Sequence, residues 1–178
     1  MPGEAYSRDF SVAFVSHGFG YGDDLMYFGE IFRALRERFA RLYVCVESKQ
    51  SFRNPYRLDL RPAFRMIALP VARQTDDGER YDTEVRIVSP ALLARLLKAR
   101  PGVIVTIEFT TAAMLGTIAA RMLPGCGHVV LIESDPSRRG GSRNKWVLRA
   151  KRWFARQAHV VQTNDEDGFR YITEELRV

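Results

Sequence analysis

The sequence has few cysteines and no long apolar run, and both absences restrict the kind of protein it can encode. Two cysteines among 178 residues, Cys45 in a predicted strand and Cys126 in a predicted turn, indicate neither a disulfide framework nor a zinc site. No apolar stretch approaches the roughly 20 residues that span a bilayer. Residues 1–10 lack the basic and apolar segments of a secretion signal, so we expect a cytoplasmic protein.

Acidic residues are missing from one segment, 138–156, which holds six arginines and two lysines. Without these eight residues the chain has 19 basic against 21 acidic residues, so its net charge of +6 comes from one patch. Such a patch is typical of a surface that binds nucleic acid, phosphorylated ligands or an anionic membrane. With 46% hydrophobic and 27% charged residues, the composition is that of a globular protein, and we expect residues 1–178 to form one domain.

Short apolar runs alternate with helix-patterned segments along the chain. Strands are predicted at 12–15, 42–46, 64–71, 103–107, 128–132 and 160–161. Helices are predicted after Gly22, from the Ser89 cap to Arg100, from Thr110 or Thr111 to Leu123, from the Ser142 cap to Gln157, and from Asp165. The alternation predicts an α/β fold with a Rossmann-like open, mostly parallel sheet and helices on both faces. Small residues in the third helix predict close packing on that sheet: Ala112, Ala113, Gly116, Ala119 and Ala120.

A glycine-rich turn, 16–23, lies between the first predicted strand and the first predicted helix. Its glycines alternate, unlike the G-x-G-x-x-G of dinucleotide sites, so a nicotinamide cofactor is not expected. Backbone N–H groups at the helix N-terminus would let a phosphate or a sugar approach closely. The alternative, that the glycines serve only a tight turn and helix packing, stays open. The candidate binding residues in this turn are Gly18, Gly20, Tyr21, Gly22 and Asp23.

Polar side chains follow the predicted strands at the carboxyl ends, where open α/β sheets bind ligands. In chain order these are Glu108, Glu133, Ser134, Asp135, Asn164 and Asp165. Because carboxylates accept hydrogen bonds from sugar hydroxyls, Glu108 and Glu133 are candidates for orienting or deprotonating a hydroxyl, with Ser134 and Asp135 binding beside them. Helix capping is the alternative for the hydroxyl, amide and aspartate side chains, and we favour it for Asn164 and Asp165.

The predicted helix 142–157 carries a basic stripe. It consists of Lys145, Arg149, Arg152 and Arg156, beside a face with Trp146, Ala150, Trp153 and Phe154. A basic stripe beside aromatic residues is typical of a helix that lies on an anionic membrane. The alternative is a solvated face with its aromatic residues buried in the core. Arg138 and Arg139, in the preceding loop, are candidates for binding a pyrophosphate or an acidic sugar, because arginine pairs bidentately with phosphate.

Several of these segments together resemble the N-terminal, acceptor-side domain of family 4 retaining glycosyltransferases, which have the GT-B fold. The resemblance is carried by the turn 18–22, the run 100–105 that leads to Glu108, the strand 129–133 and the segment 152–164. It implies two Rossmann-like domains with the active site in the cleft between them. It also implies a nucleotide sugar as the donor substrate, a sugar or lipid-linked acceptor, and neither a cofactor nor a metal.

The resemblance further implies that the donor-binding domain is absent from this sequence, so we expect the chain alone to be inactive. The family often has a histidine at the end of the fifth strand, where this sequence has Glu133, so the family's usual catalytic assignment is in doubt. We expect a role in polysaccharide or glycolipid synthesis at the inner face of a membrane, with peripheral contact through the basic stripe and no nucleic-acid partner. The alternative is a non-enzymatic domain that uses helix 142–157 to bind nucleic acid or an anionic membrane.

Overall fold

The computed structural model describes residues 10–15, 22–46, 67–68, 71–72, 87–88, 90–132 and 145–178. Its strands are Ser11–Val15 (β1), Arg41–Val46 (β2), Ile67–Ala68 (β3), Val71–Ala72 (β4), Ile87–Val88 (β5), Val103–Ile107 (β6), Gly127–Ile132 (β7) and Val160–Thr163 (β8). Its helices are Gly22–Arg38 (α1), Ala91–Ala99 (α2), Thr111–Met122 (α3), Lys145–Gln157 (α4) and Glu166–Arg170 (α5). Helix α5 continues as a π-helical segment, Tyr171–Leu176.

Six of the strands form one sheet in the order β3-β2-β1-β6-β7-β8. All of its neighbouring strands pair in parallel. Strand β1 lies inside the sheet, and the chain builds β2 and β3 on one side of it and β6, β7 and β8 on the other. This is the strand order of doubly wound Rossmann-like folds. The predicted α/β fold with an open parallel sheet is therefore confirmed.

Helices cover both faces of this sheet, because side chains that alternate along each strand bury apolar groups on both sides. On one face the ring of Phe14 in β1 packs edge-on against Phe32 of α1, with centroids 5.1 Å apart. On the opposite face α2 and α3 bury leucines and alanines against Ala13, Val15 and Ile104. A third buried cluster joins β7, α4 and the π-helical segment.

The close approach of α3 to the sheet depends on its small residues. All five that the sequence singles out are buried: Ala112, Ala113, Gly116, Ala119 and Ala120. A Cβ at Gly116 would lie 2.7 Å from Cγ2 of Thr106, which a larger side chain could reach only if its neighbours shifted. The predicted packing is confirmed, and it fixes the position of α3 relative to β6.

A buried polar contact also fixes α3 on the sheet. The Nε2 atom of His128 in β7 lies 3.2 Å from Oγ1 of Thr106 and 3.4 Å from Oγ1 of Thr117. The two threonine hydroxyls donate to the carbonyls of Val129 and Ala113, so their oxygens are left to accept a hydrogen bond from Nε2–H. The Nδ1 atom has no hydrogen-bond partner among the described residues. Burial lowers the pKa of His128 from 6.5 to about 4, so the imidazole is neutral at neutral pH.

Two segments differ from the sequence-based expectation. The predicted strand 64–71 is divided: Ile67–Ala68 pairs with β2, whereas Val71–Ala72 pairs antiparallel with β5 in a separate two-stranded sheet. Pro70 stands between the two pieces, and proline lacks the backbone N–H that strand pairing uses. Cys126, predicted in a turn, packs in the same buried cluster as Cys45, and burial raises the pKa of its thiol. The predicted caps Ser89 and Ser142 lie outside the described residues.

Candidate functional site

The carboxyl ends of β1 and β6 lie side by side where the strand order reverses. Val15, the last residue of β1, pairs with Thr106, so β6 reaches one residue further, to Ile107. The chain continues from β1 to α1 on one face of the sheet and from β6 to α3 on the other. Open α/β sheets bind their ligands in the crevice that such a reversal creates. We therefore take the carboxyl ends of β1 and β6, together with the first turns of α1 and α3, as the candidate site and name it the central edge.

The structure places part of the predicted site at the central edge. Glu108 directly follows β6, and Gly22 and Asp23 are the first two residues of α1. The remaining predicted binding and catalytic residues lie outside the described part of the chain: Gly18, Gly20, Tyr21, Glu133, Ser134, Asp135, Arg138 and Arg139. Their roles stay predictions.

Glu108 has an unusual backbone conformation for its residue type. Its φ is +58°, in the left-handed region, and its N–H donates to the carbonyl oxygen of Leu131 in β7 at 2.8 Å. The other described non-glycine residues with positive φ, Arg100 and Arg177, end a helix, where this conformation is common. Outside such a cap the left-handed region costs a non-glycine residue about 1–2 kcal/mol. This conformation, directly after a strand at the carboxyl edge, makes Glu108 a candidate for a functional side chain.

Two helices begin at the central edge. Thr110 caps α3, because its Oγ1 accepts a hydrogen bond of 3.0 Å from the N–H of Ala113. The predicted cap is thereby confirmed. Helix α1 begins at Gly22 on the opposite face of the sheet. The N-terminal end of each helix carries a partial positive charge and unsatisfied N–H groups. The first turn of α3 contains no acidic residue, whereas α1 begins with Gly22-Asp23-Asp24. The end of α3 therefore favours an anionic or hydroxyl group of a ligand.

The sequence did not predict that the side chain of Lys151 lies near the residue that follows Glu108. The Nζ atom of Lys151 lies 5.6 Å from the ring centroid of Phe109 and 6.0 Å from that of Tyr171. Burial, together with the negative charges of Glu175 and Glu108, raises the pKa of Tyr171 to about 12. Tyr171 therefore keeps its hydroxyl proton, and the ammonium of Lys151 supplies a positive charge near this edge. The sequence contains one indication that Lys151 differs from the other basic residues of α4. Helical spacing places it outside their stripe, so its side chain leaves the helix on a different side.

The polar residues after β8 serve the local structure. Oδ1 of Asp165 accepts a hydrogen bond of 2.6 Å from the N–H of Gly168, which makes Asp165 the cap of α5. A Cβ at Gly168 would overlap Oγ1 of Thr163, so this position requires glycine. The capping interpretation is confirmed for Asp165. Asn164 lies exposed one residue before the cap, so the prediction that it caps as well is wrong.

The basic stripe of α4 divides into two parts. Nε of Arg152 donates to the carbonyl oxygen of Glu175 at 2.7 Å, and an Nη of Arg156 donates to that of Arg177 at 3.4 Å. Both carbonyls lie at the end of the π-helical segment, where basic side chains stabilise a helix terminus. Lys145 and Arg149 are exposed on the outer side of α4. Arg152 and Arg156 therefore stabilise the fold, whereas Lys145 and Arg149 are accessible to a partner.

The aromatic residues of α4 do not all face the core. Trp146 is 73% exposed and Trp153 is 51% exposed, whereas Ala155 and the half-buried Leu148 face the sheet. The alternative with all aromatic residues buried is therefore wrong for both tryptophans, because the smaller apolar residues fill the inner side of the helix. Within the described part of the chain, no helix has the length and apolar composition that would let it cross a bilayer.

Comparison with known proteins gives one family. A family model described as a glycosyl transferase 4-like domain matches residues 26–178. No curated protein matches the chain. The matched residues include Glu108, Lys151 and the whole of α4, and they confirm the resemblance that the sequence motifs indicated.

Proposed function

We propose that this chain, which belongs to the glycosyl transferase 4-like family, is the acceptor-binding domain of a retaining glycosyltransferase with the GT-B fold. The observation that supports acceptor binding at the central edge is Glu108, a carboxylate held in a left-handed conformation where two helices begin. A sugar hydroxyl that donates to this carboxylate would lie at the crevice between β1 and β6. Membership of the family indicates the class of reaction, and the central edge is the position proposed for the acceptor hydroxyl, which is the nucleophile.

In this proposal Glu108 accepts a hydrogen bond from the acceptor hydroxyl and orients its oxygen toward the anomeric carbon of the donor. The oxygen forms the new bond to that carbon, the bond from the carbon to the oxygen of the nucleotide phosphate breaks, and the hydroxyl proton passes to the Glu108 carboxylate. The N-terminal end of α3, which has no acidic residue in its first turn, favours a phosphate or acidic sugar on the acceptor. Lys151 contributes positive charge from the α4 side. The donor is a nucleotide sugar held by a second domain, and no cofactor takes part.

Calorimetry with unlabelled sugars tests acceptor binding at Glu108. The probes are glucose, N-acetylglucosamine, glucuronate and glucose 1-phosphate, titrated into the parent chain, a Glu108→Gln variant and a Glu174→Gln control whose side chain lies exposed on the π-helical segment. We expect at least one probe to bind the parent and the control alike. Glu108→Gln should weaken that binding roughly tenfold, because a hydrogen bond to a charged group contributes about 1.5 kcal/mol or more. Equal binding by all three proteins would contradict the role of Glu108.

A second test concerns the donor. We propose that the 178 residues neither transfer nor hydrolyse a nucleotide sugar, because the donor-binding half of the cleft is a separate domain. The measurement is nucleotide release from UDP-glucose, UDP-N-acetylglucosamine and GDP-mannose, with and without the sugars above. Turnover by the purified chain would contradict this proposal.

For location we propose the cytoplasm, at the inner face of a membrane, and for pathway the synthesis of a polysaccharide or glycolipid. Cys45 and Cys126 are free thiols, which suits a reducing compartment. A second candidate function, a non-enzymatic domain that binds through α4, is favoured by the exposure of Trp146 and Trp153. Sugar binding that Glu108→Gln weakens would decide for the transferase.

A further inference from the structure

Both tryptophans of the chain lie on the outer face of α4. They are seven residues apart, which places them on the same side of the helix about 10 Å from each other along its axis. Exposure is unusual for the largest apolar side chain, and here it occurs twice on one helix. The pair identifies this face as a surface with a partner. We name Trp146, Trp153 and the exposed residues Lys145 and Arg149 the α4 surface.

We infer that the partner of the α4 surface is an anionic lipid bilayer. Helix α4 contains five basic residues and no acidic residue. Lys145 and Arg149 lie beside the tryptophans, so positive charge and indole rings face the same side. Tryptophan concentrates at the boundary between lipid headgroups and hydrocarbon, and lysine or arginine beside it attracts anionic headgroups. The two requirements for a helix that lies flat on such a bilayer are therefore met by one face.

Two other occupants fit less well. A second copy of the chain would bring Lys145, Arg149 and Arg156 of one α4 against the same cations of the other, and like charges repel across a symmetric interface. A nucleic acid would satisfy the cations, but it offers the two exposed indole rings a stacking partner only where its bases are unpaired. A bilayer accommodates both the cations and the apolar side chains.

The direction of α4 places the α4 surface next to the proposed acceptor site, a relation that rests on the proposed function. Strand β8 is parallel to β7, so α4 between them runs back from the carboxyl edge to the amino edge of the sheet. Its C-terminal end lies at the amino edge, where the N–H of His159 donates to the carbonyl oxygen of His128. Trp146 therefore lies toward the edge that carries Glu108. A bilayer against α4 would adjoin the central edge, where a lipid-linked acceptor could present its hydroxyl.

Intrinsic fluorescence tests the lipid contact directly, because the only two tryptophans report from the surface itself. The 178-residue chain is mixed with vesicles of phosphatidylcholine and with vesicles of equimolar phosphatidylcholine and phosphatidylglycerol. We expect the emission to move to shorter wavelength on the anionic vesicles and to return when salt is added. The variants Trp146→Phe and Trp153→Phe assign the change to one ring or to both. This assay requires neither sugar nor catalysis, so its failure is distinct from failure of the proposed function.

A matched pair of charge reversals tests the contribution of the basic residues. Arg149→Glu on α4 should weaken binding to the anionic vesicles about fivefold or more, because each basic residue near such a surface contributes about that factor. Arg95→Glu, an exposed arginine of α2, should bind as the parent does. Thermal melting confirms that each variant is folded.

Four results would overturn the inference: unchanged emission with every vesicle, equal weakening by Arg95→Glu, an emission change on concentration alone with a dimeric mass, or binding to a single-stranded oligonucleotide instead of the vesicles.

Discussion

Acidification should destabilise the fold through His128. The imidazole is 1% exposed, and burial, assisted by the nearby His159, lowers its pKa from 6.5 to about 4 against an opposing effect of the Gln157 backbone. Because the folded-state pKa lies below the unfolded one, the unfolded chain binds more protons between these two values. The stability that depends on the neutral imidazole of His128 is therefore present above pH 6.5 and is lost as the pH falls toward 4.

The magnitude follows from the same two values. A difference of about 2.5 pKa units corresponds to roughly 3 kcal/mol in full, of which about 2 kcal/mol is lost between about pH 7.5 and about pH 5. Such a loss is a substantial part of the 5–15 kcal/mol that is typical of a folded domain. The effect should thus be measurable without complete acid unfolding.

The assay is urea unfolding of the parent and of His128→Gln at several pH values in this range. Glutamine keeps an N–H that can donate to the hydroxyls of Thr106 and Thr117, but it does not titrate. Subtracting the variant's free energy of unfolding from the parent's cancels the contribution of the carboxylates, which titrate in both. We expect this difference to fall by about 2 kcal/mol on acidification. The variant His159→Gln removes only the smaller of the two effects that lower the pKa of His128, so most of the fall should remain. A difference that stays constant across the range would refute a buried neutral imidazole.

Three further predictions concern single positions, each measured by urea unfolding. Gly168→Ala should cost about 2 kcal/mol because its Cβ would overlap Thr163, whereas Phe169→Ala, at a 59% exposed side chain, should change little; equal effects would contradict the packing. Thr110→Ala should cost about 1 kcal/mol by removing the cap of α3, and Thr110→Ser should restore it; a neutral alanine would exclude the cap. Glu108→Asn should raise stability by about 1 kcal/mol, since asparagine tolerates positive φ, and weaken sugar binding; a loss of stability would contradict the strain.

Sequence patterns were sufficient for the layers of the fold. Strands buried on both faces are continuously apolar, as in 12–15, and this pattern distinguishes a parallel sheet from a half-exposed one. The small residues of α3 also carried a direct signal, because only short side chains permit the approach seen between Gly116 and Thr106. The pattern failed at 64–72, where the strands are two residues long and their pairing depends on distant segments.

The candidate site was predictable only in part. Its location followed from strand order, since any residue directly after β6 lies at the carboxyl edge, and Glu108 is such a residue. Its left-handed backbone, beside the hydrogen bond of its N–H to Leu131, has no local signature in the sequence. The contact of Lys151 with Phe109 and Tyr171 joins three elements, so it depends on how α4 and the π-helical segment pack.

Amide chemical shifts recorded during a titration with the sugar that binds best would test the central claim most directly. If acceptor sugars bind where β1 and β6 end, the amides of 108–113 and of 22–24 should move together and saturate at the calorimetric affinity, while those of 102, 127 and 159 at the opposite edge stay fixed. Shifts confined to the opposite edge, or to α4 alone, would contradict an acceptor site at Glu108.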